Sequence, residues 1–209
     1  MEPSAEPHYA GYQFPGEPLH RDGTMTGSGS SAIDIQPADG ARLSAADTAA
    51  IDAIFFASSN TQQFASDAAR HAFRDRWLGC YLTADPRDLL FLARSDGTVV
   101  GYCLGAVENA ATQPRFAGIA YFQAFAQLCA RFPAHLHINL APGWRGLGIG
   151  QRLIEAFAGA ARAHGAPGLH VVTSQGARNV IFYERAGFTL QGSAGPPEAK
   201  LVFLARALS

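Results

Sequence analysis

A glycine-rich loop at residues 145–150 carries the residue types most suited to chemistry in this sequence. It lies between His135–Leu140, which alternates polar and apolar residues, and a segment with helical apolar spacing that begins near Leu153. Free amide groups and the positive end of the helix dipole would therefore point at one place. Glycines leave those amides accessible to a phosphate, and an arginine pairs with phosphate oxygens. The predicted anion site comprises Arg145, Gly146, Leu147, Gly148, Ile149 and Gly150.

Two other nucleotide-binding interpretations of this loop fail on pattern. The sequence contains no G-x-x-x-x-G-K-S/T loop, which excludes a P-loop hydrolase. A dinucleotide fingerprint requires G-x-G-x-x-G and an acidic residue about 20 positions later, whereas Ala166–His170 contains none. A tight turn between a strand and a helix is the alternative to anion binding.

Polar side chains of the strand before the loop are candidates for proton transfer. His135, His137 and Asn139 would share one face, because side chains alternate along a strand. Histidine titrates near neutrality, so His137 is a candidate general base, and Glu108 on the neighbouring predicted strand is a second. A structural histidine is the alternative. No Cys, Asp or Glu at ligand spacing accompanies the histidines, so no metal site is predicted.

The elements that must position these residues form one α/β domain over residues 32–209. A serine at position 44 and another at position 66 predict helix starts, and Asp96-Gly97 predicts a hairpin turn. The predicted order is a strand (32–37), two helices, a hairpin (89–94 and 99–108), a helix (122–132), a strand (135–140), a helix ending near 165, a strand (169–174), a helix (179–186) and a strand (200–208).

The loop and the residues after it resemble a known family. Arg145–Gly150 matches the R/Q-x-x-G-x-G/A element of the GNAT superfamily of acetyl-CoA-dependent N-acetyltransferases, and His137–Leu140 with Pro142 resembles the strand that enters it. Asn179–Phe188 is similar to a later element that carries Asn, Tyr and Gly-Phe in this order. The resemblance covers residues 33–208, and His135–Gly150 is also similar to the acetyltransferase-like domains of O-GlcNAc hydrolases.

The resemblance implies a GNAT-like single domain with a mixed, mostly antiparallel sheet flanked by helices. Its central strands, His135–Leu140 and Leu169–Ser174, would splay apart and hold the pantetheine arm of acetyl-CoA. Backbone groups of Ile138, Asn139 and Leu140 would bind that arm. Asn179 would contact the pantetheine, or alternatively cap a helix. Tyr183 would protonate the departing CoA thiolate, a role compatible with aromatic packing.

The function implied is direct transfer of an acetyl group from acetyl-CoA to an amine, without a covalent intermediate. The alternative is a catalytically inactive module that binds an acyl-CoA or a partner. Residues near Phe55–Phe64 and Phe116–Phe125 would form the acceptor pocket, and their aromatic character favours a small or aromatic amine.

Composition limits the partners and the compartment. Formal net charge is −1, from 16 Lys and Arg against 17 Asp and Glu, so nucleic acid is not expected as a partner. Three separated cysteines predict a reducing cytoplasm, and no apolar run reaches the roughly 18 residues that a membrane span requires. Residues 1–31 are rich in Pro, Gly, Ser and Glu and predict a flexible tail. The sequence is compatible with a homodimer but does not determine the oligomeric state.

Overall fold

The computed structural model describes residues 32–208, so the predicted flexible tail, residues 1–31, lies outside the described residues. The strands are β1 (Asp34–Pro37), β2 (Asp88–Ser95), β3 (Thr98–Ala106), β4 (Ala134–Leu140), β5 (Gly168–Ser174), β6 (Thr189–Ala194) and β7 (Leu201–Ala207). The helices are α1 (Ala45–Ser58), α2 (Asp67–Trp77), α3 (Tyr121–Ala124), α4 (Ala126–Arg131), α5 (Ile149–Ala163) and α6 (Asn179–Arg185).

The described strands form one seven-stranded sheet in the order β1-β2-β3-β4-β5-β7-β6. Neighbouring strands are antiparallel except β4 and β5, which are parallel. One face packs against α5 and α6 through a core that includes Leu153 and Phe157, and the other packs against α1–α4 through a core that includes Ile51 and Phe122. The predicted α/β domain, with its mixed and mostly antiparallel sheet, is confirmed.

Local sequence signals account for most of these elements. Ser44 Oγ accepts the Asp47 N–H at 3.1 Å to start α1, and Ser66 Oγ accepts the Ala69 N–H at 3.2 Å to start α2. Asp96 and Gly97 have φ values of 48° and 78°, so they close the β2–β3 hairpin in the tight turn that their sequence favours. These predictions are confirmed.

Two glycines let β4 lie against β3. A Cβ at Gly105 would lie 1.9 Å from the His135 carbonyl oxygen, and one at Gly101 would lie 2.2 Å from Leu140 Cδ2. A larger residue at Gly105 would therefore push β4 away, whereas one at Gly101 would first displace the Leu140 side chain. Glycine within a strand often marks such a close approach, and the irregularity of this hairpin lies in β2, between Ala93 and Arg94.

The structure corrects one predicted element and adds another. The single helix expected over 122–132 is two short helices that break at Phe125 (φ −112°, ψ 23°), although both direct apolar residues into one core. The predicted closing strand is confirmed as β7, but it pairs with β6, which was not predicted. β6 escaped prediction because it is an edge strand with little apolar alternation, in which Leu190 is exposed and the register shifts before Gly192.

Candidate functional site

The gap between β4 and β5 is the central feature of the site. Each strand has seven residues, but their registered pairs are limited to Ala134↔Leu169 and His135↔His170. The strands separate beyond this vertex, toward the ends at Leu140 and Ser174. The predicted splay of the central strands is confirmed.

Backbone groups of β4 line one side of the gap. The Ala141 N–H donates to the Val100 carbonyl at 2.9 Å, which fixes the alternation of the β3–β4 ladder. Asn139 therefore directs its backbone groups to β3, while Ile138 and Leu140 direct theirs into the gap. Two of the three strand residues predicted to bind pantetheine through their backbones thus face the gap, and Asn139 does not.

The glycine-rich loop leads into the start of α5. Gly146 and Gly148 have φ values of 79° and 76°, and a Cβ at either would meet nothing within 4 Å. Gly148 is the N-cap and supplies no side-chain cap bond. The Arg152 N–H donates to the Gly148 carbonyl at 3.3 Å, so the amides of residues 149–151 precede the first helical bond. Arg145 is exposed beside them, as is Leu147. The loop therefore leaves amide groups accessible at a helix start, and anion binding there stays a prediction.

Gly150 serves packing rather than access. The residue is buried, and a Cβ on it would lie 3.0 Å from Phe182 Cζ on α6. Its missing side chain therefore leaves room for an aromatic ring, not for a phosphate, which corrects the reason given for this glycine. Its amide still belongs to the uncapped start of α5.

Asn179 and Tyr183 lie on α6, beside β5. Asn179 Oδ1 accepts a hydrogen bond from Thr173 Oγ1 at 3.0 Å, and its buried Nδ2 has no hydrogen-bond partner within residues 32–208. Asn179 does not cap the helix, because Arg178 occupies that position without a side-chain cap bond. Tyr183 is 4% exposed and its ring lies 5.2 Å from Phe182, between centroids.

His137 and Asn139 project from β4 on the same face as His135, as predicted. His137 Nε2 lies 3.2 Å from the Tyr81 hydroxyl, and Asn139 Nδ2 donates to the Tyr102 hydroxyl at 2.7 Å. Removal from bulk water disfavours the imidazolium and lowers the pKa of His137 to about 4. His137 is therefore neutral at neutral pH and only a weak base.

A stacked histidine pair marks the vertex of the splay, and no pattern in the sequence predicts its second member, His170. The rings of His135 and His170 lie 5.5 Å apart, and both are buried. His135 Nδ1 donates to the Pro133 carbonyl at 3.3 Å, and His170 Nδ1 donates to the Phe132 carbonyl at 2.5 Å. Burial lowers the pKa of both, that of His170 to about 4. The parallel register of β4 and β5, which cannot be predicted from the sequence, places the two rings side by side.

Glu108, the second candidate base, lies at the closed end of the splay. It follows Ala106, which pairs with His135 beside the vertex. Its carboxylate is 7% exposed and forms ion pairs with Arg87 and Arg115. Arg115 also binds Asp88. The structure therefore does not bring Glu108 to the open end of the gap, where Ile138 and Leu140 lie.

Most phenylalanines predicted to line an acceptor pocket belong to the core. Phe55, Phe116, Phe122 and Phe125 are each at most 4% exposed. A surface cavity of about 380 Å³ does lie between the end of α1 and the start of α2. Its lining includes Phe56, Gln62, Phe64 and Arg70.

Comparison with known proteins agrees with this architecture. A sequence profile of the acetyltransferase (GNAT) family matches residues 52–188, which include the loop, the splayed strands and α6. The chain belongs to the GNAT acetyltransferase family. Membership makes it an acyltransferase, and the family match confirms the resemblance inferred from the two motifs.

The GNAT fold recurs in solved structures of low sequence identity. SsHAT is 22% identical, with a TM-score of 0.66 over 85% of this chain and 99% of that chain. Aminoglycoside 6′-acetyltransferase type Ii is 13% identical, with a TM-score of 0.58 over 84% and 97%. The Salmonella typhimurium protein yncA, solved with its cofactor acetyl-CoA, is 19% identical, with a TM-score of 0.53 over 85% and 95%.

Neither a metal centre nor a membrane span emerges in the described part of this GNAT domain. Residues 32–208 contain no cluster of three or more His, Cys, Asp or Glu side chains arranged to hold a metal ion. Over the same residues, no helix combines the length and the apolar character needed to cross a bilayer.

Proposed function

We propose that this GNAT acetyltransferase moves the acetyl group of acetyl-CoA directly to the nitrogen of an amine, without a covalent enzyme intermediate. The observation that carries the proposal is the junction of two features. The open side of β4 presents backbone groups of Ile138 and Leu140, and the chain then turns through glycines into an uncapped helix start. The acetyl-CoA in the yncA structure, which has the same fold, supports this assignment of the ligand.

Acetyl-CoA would bind with its pyrophosphate at the start of α5 and its pantetheine arm in the gap. The amides of residues 149–151 and the Arg145 guanidinium supply donors for the phosphates. Backbone groups of Ile138 and Leu140 pair with the amides of the arm, as a further strand would. Asn179 Nδ2, buried without a partner among the described residues, gains an acceptor from the arm.

The chemical step needs a neutral amine, a stabilised oxyanion and a protonated thiol. The amine nitrogen attacks the thioester carbonyl, and the N–C bond forms as negative charge moves to the carbonyl oxygen. A backbone amide of β4 in the gap stabilises that oxygen. The C–S bond then breaks, and Tyr183 donates its phenolic proton to the sulfur. The acylated nitrogen loses its extra proton to a base, and water returns a proton from that base to the Tyr183 phenolate.

His137 is the stronger of the two candidate bases on position. It lies one residue from Ile138, whereas Glu108 is held by two arginines at the closed end. With a pKa of about 4, His137 is deprotonated at neutral pH. A weak base suits a step in which the nitrogen becomes strongly acidic once the N–C bond has formed.

A binding measurement followed by a turnover assay tests the proposal. CoA and acetyl-CoA should each raise the unfolding temperature, because they bind the folded state. Release of the CoA thiol should then require both acetyl-CoA and an amine, and mass spectrometry should show an acetamide product. No stabilisation at millimolar CoA would refute the site. Stabilisation without turnover on a broad amine panel would instead support an inactive acyl-CoA-binding module.

A further inference from the structure

We propose that the acceptor is a primary amine with an aromatic ring, and that this ring stacks on Trp77 and Tyr121. This inference rests on the proposed acetyl transfer and names its substrate class. Trp77, Tyr121 and His137 are called the aromatic face below. They come from the end of α2, the start of α3 and the middle of β4.

Ring contacts and solvent access distinguish the aromatic face from the core. The Trp77 and Tyr121 rings are stacked, with centroids 6.1 Å apart and planes inclined by 27°. Trp77 meets His137 edge-on, with centroids 6.5 Å apart. All three side chains are partly exposed, whereas the neighbouring Phe116 and Phe122 are buried. Aromatic rings that retain solvent access can accept another ring at an offset or at an edge.

The aromatic face lies beside the expected position of the thioester. The His137 side chain projects from β4 toward α2, and the backbone of the next residue, Ile138, faces the gap. His137 therefore connects the Trp77 ring, 6.5 Å away between centroids, to the strand residue whose backbone faces the gap.

Charge on the helix that carries Trp77 selects against polycationic acceptors. Arg74 binds Asp52 at 2.8 Å and lies 3.6 Å from Asp75. These carboxylates are already neutralised and offer little attraction to a second ammonium group. An acceptor with one amine and an apolar ring needs no second carboxylate, and removal of its ring from water is favourable.

The cavity between α1 and α2 is the competing position for the acceptor, and its lining includes both Asp67 and Arg70. The Arg70 guanidinium lies 3.6 Å from the centroid of Phe56 and so already occupies that ring face. An acceptor ring that enters this cavity would have to displace Arg70 from Phe56. The aromatic face is therefore the better match for an amine that carries a ring.

Substrate comparison provides the first test. 2-Phenylethylamine should be acetylated with a kcat/KM at least about 10-fold above that of 2-cyclohexylethylamine, which has a similar shape but no π system. Spermidine should be poorer still. Acetylation of spermidine or of the cyclohexyl amine with equal or higher kcat/KM would overturn the inference while leaving the proposed function intact. Absence of turnover with every amine would overturn both.

Variants of the aromatic face provide the second test. Trp77→Ala and Tyr121→Ala should each raise the KM for 2-phenylethylamine by about 10-fold, with kcat and the KM for acetyl-CoA nearly unchanged. Trp77→Phe keeps a ring and should recover part of the loss, which separates recognition from misfolding. Phe64→Ala is the matched control in the competing cavity. If Phe64→Ala raises this KM and Trp77→Ala and Tyr121→Ala do not, the acceptor binds between α1 and α2 and the inference fails.

Discussion

The ring of Phe182 occupies the space that a side chain at Gly150 would need. A Cβ on Gly150 would lie 3.0 Å from Phe182 Cζ and 3.2 Å from Cε2. This contact joins the first turn of α5, where the anion site is proposed, to α6, where Tyr183 follows Phe182 directly. A displacement of either helix therefore affects both the proposed phosphate site and the proposed proton donor.

Gly150→Ala tests this contact. Overpacking a buried site typically costs about 1–3 kcal/mol, which exceeds the roughly 1 kcal/mol that alanine gains over glycine in a helix. We expect a lower free energy of unfolding in urea and a higher KM for acetyl-CoA. Phe182→Leu should relieve the clash, so the double variant should be more stable than additivity predicts by at least about 0.5 kcal/mol. A Gly150→Ala protein as stable as the wild type would show that Phe182 moves aside without cost.

Gly148→Ala, at the N-cap of α5, and Gly159→Ala, within α5, form a matched pair. Gly148 has a φ of 76°, a conformation that costs an L-residue about 1–2 kcal/mol, and its Cβ would point into open space at the proposed phosphate site. Gly159 is exposed in the same helix with nothing within 4 Å of a Cβ, and alanine there should stabilise the fold by about 1 kcal/mol.

Thermal shifts with CoA should separate the two glycine variants. Gly148→Ala should lose most of the stabilisation by CoA, whereas Gly159→Ala should retain all of it, because only the first alters the proposed cradle. Equal shifts in both variants would contradict the placement of the pyrophosphate at the start of α5.

The sequence predicted those features that depend on local signals. The Asp96-Gly97 turn, the serine caps and the amphipathic α5 each follow from a few neighbouring residues. Features that depend on register and distant contacts escaped prediction. The stacking of His135 on His170 depends on the parallel pairing of β4 and β5. The need for glycine at position 150 depends on the close packing of Phe182 from α6. Aromatic composition also led to too many phenylalanines being assigned to the acceptor pocket, since most of them are buried in the core.

Buried histidines make stability depend on pH. The pKa of His170 falls from an ordinary value of 6.5 to about 4 in the fold, and that of His137 also to about 4. Between these values the unfolded chain binds more protons, so the free energy of unfolding decreases as the pH falls from about 6.5 to 4 and then levels off for these groups. Each histidine contributes at most about 1.4 kcal/mol per pH unit.

His170→Phe should reduce this pH slope. The variant keeps a ring against Phe203, whose centroid lies 4.4 Å from that of His170, but it removes the titrating group. Urea denaturation at several pH values between 4 and 7 measures the slope directly. The variant starts from a lower stability, because the Phe132 carbonyl loses its donor, but the readout is the slope. Identical slopes in both proteins would show that His170 is not a source of the pH dependence.

The two candidate bases should separate in kinetics and stability. Glu108→Gln removes one of the two carboxylates that each of Arg87 and Arg115 binds, while Asp85 and Asp88 remain, so the free energy of unfolding should fall by about 1 kcal/mol. Its kcat should remain within a few-fold of the wild type. His137→Gln should lower kcat by at least about 10-fold and shift the pH profile of kcat/KM. A large loss of kcat in Glu108→Gln, in a protein that still binds CoA, would transfer the role of base to Glu108.

Tyr183→Phe tests the proton donor. The ring is 4% exposed and lies between Phe182 and Phe188, so the variant should keep its packing and its affinity for CoA. General acid catalysis typically contributes about 100-fold to 10,000-fold in rate. We expect a fall in kcat near 100-fold, the lower end of that range, because a thiolate is a good leaving group and water can partly replace the phenol.

The role of the Tyr183 hydroxyl depends on whether Tyr183→Phe changes the KM for acetyl-CoA or kcat. Asn179→Ala is the comparison, because Asn179 lies one turn earlier on α6 and its free amide nitrogen suits a contact with the pantetheine arm. That variant should raise the KM for acetyl-CoA and leave kcat nearly intact. If Tyr183→Phe behaves in the same way, its hydroxyl is a binding contact. If kcat and KM both stay at wild-type values, Tyr183 only packs the core. A loss of kcat with CoA binding retained is the outcome that proton donation requires.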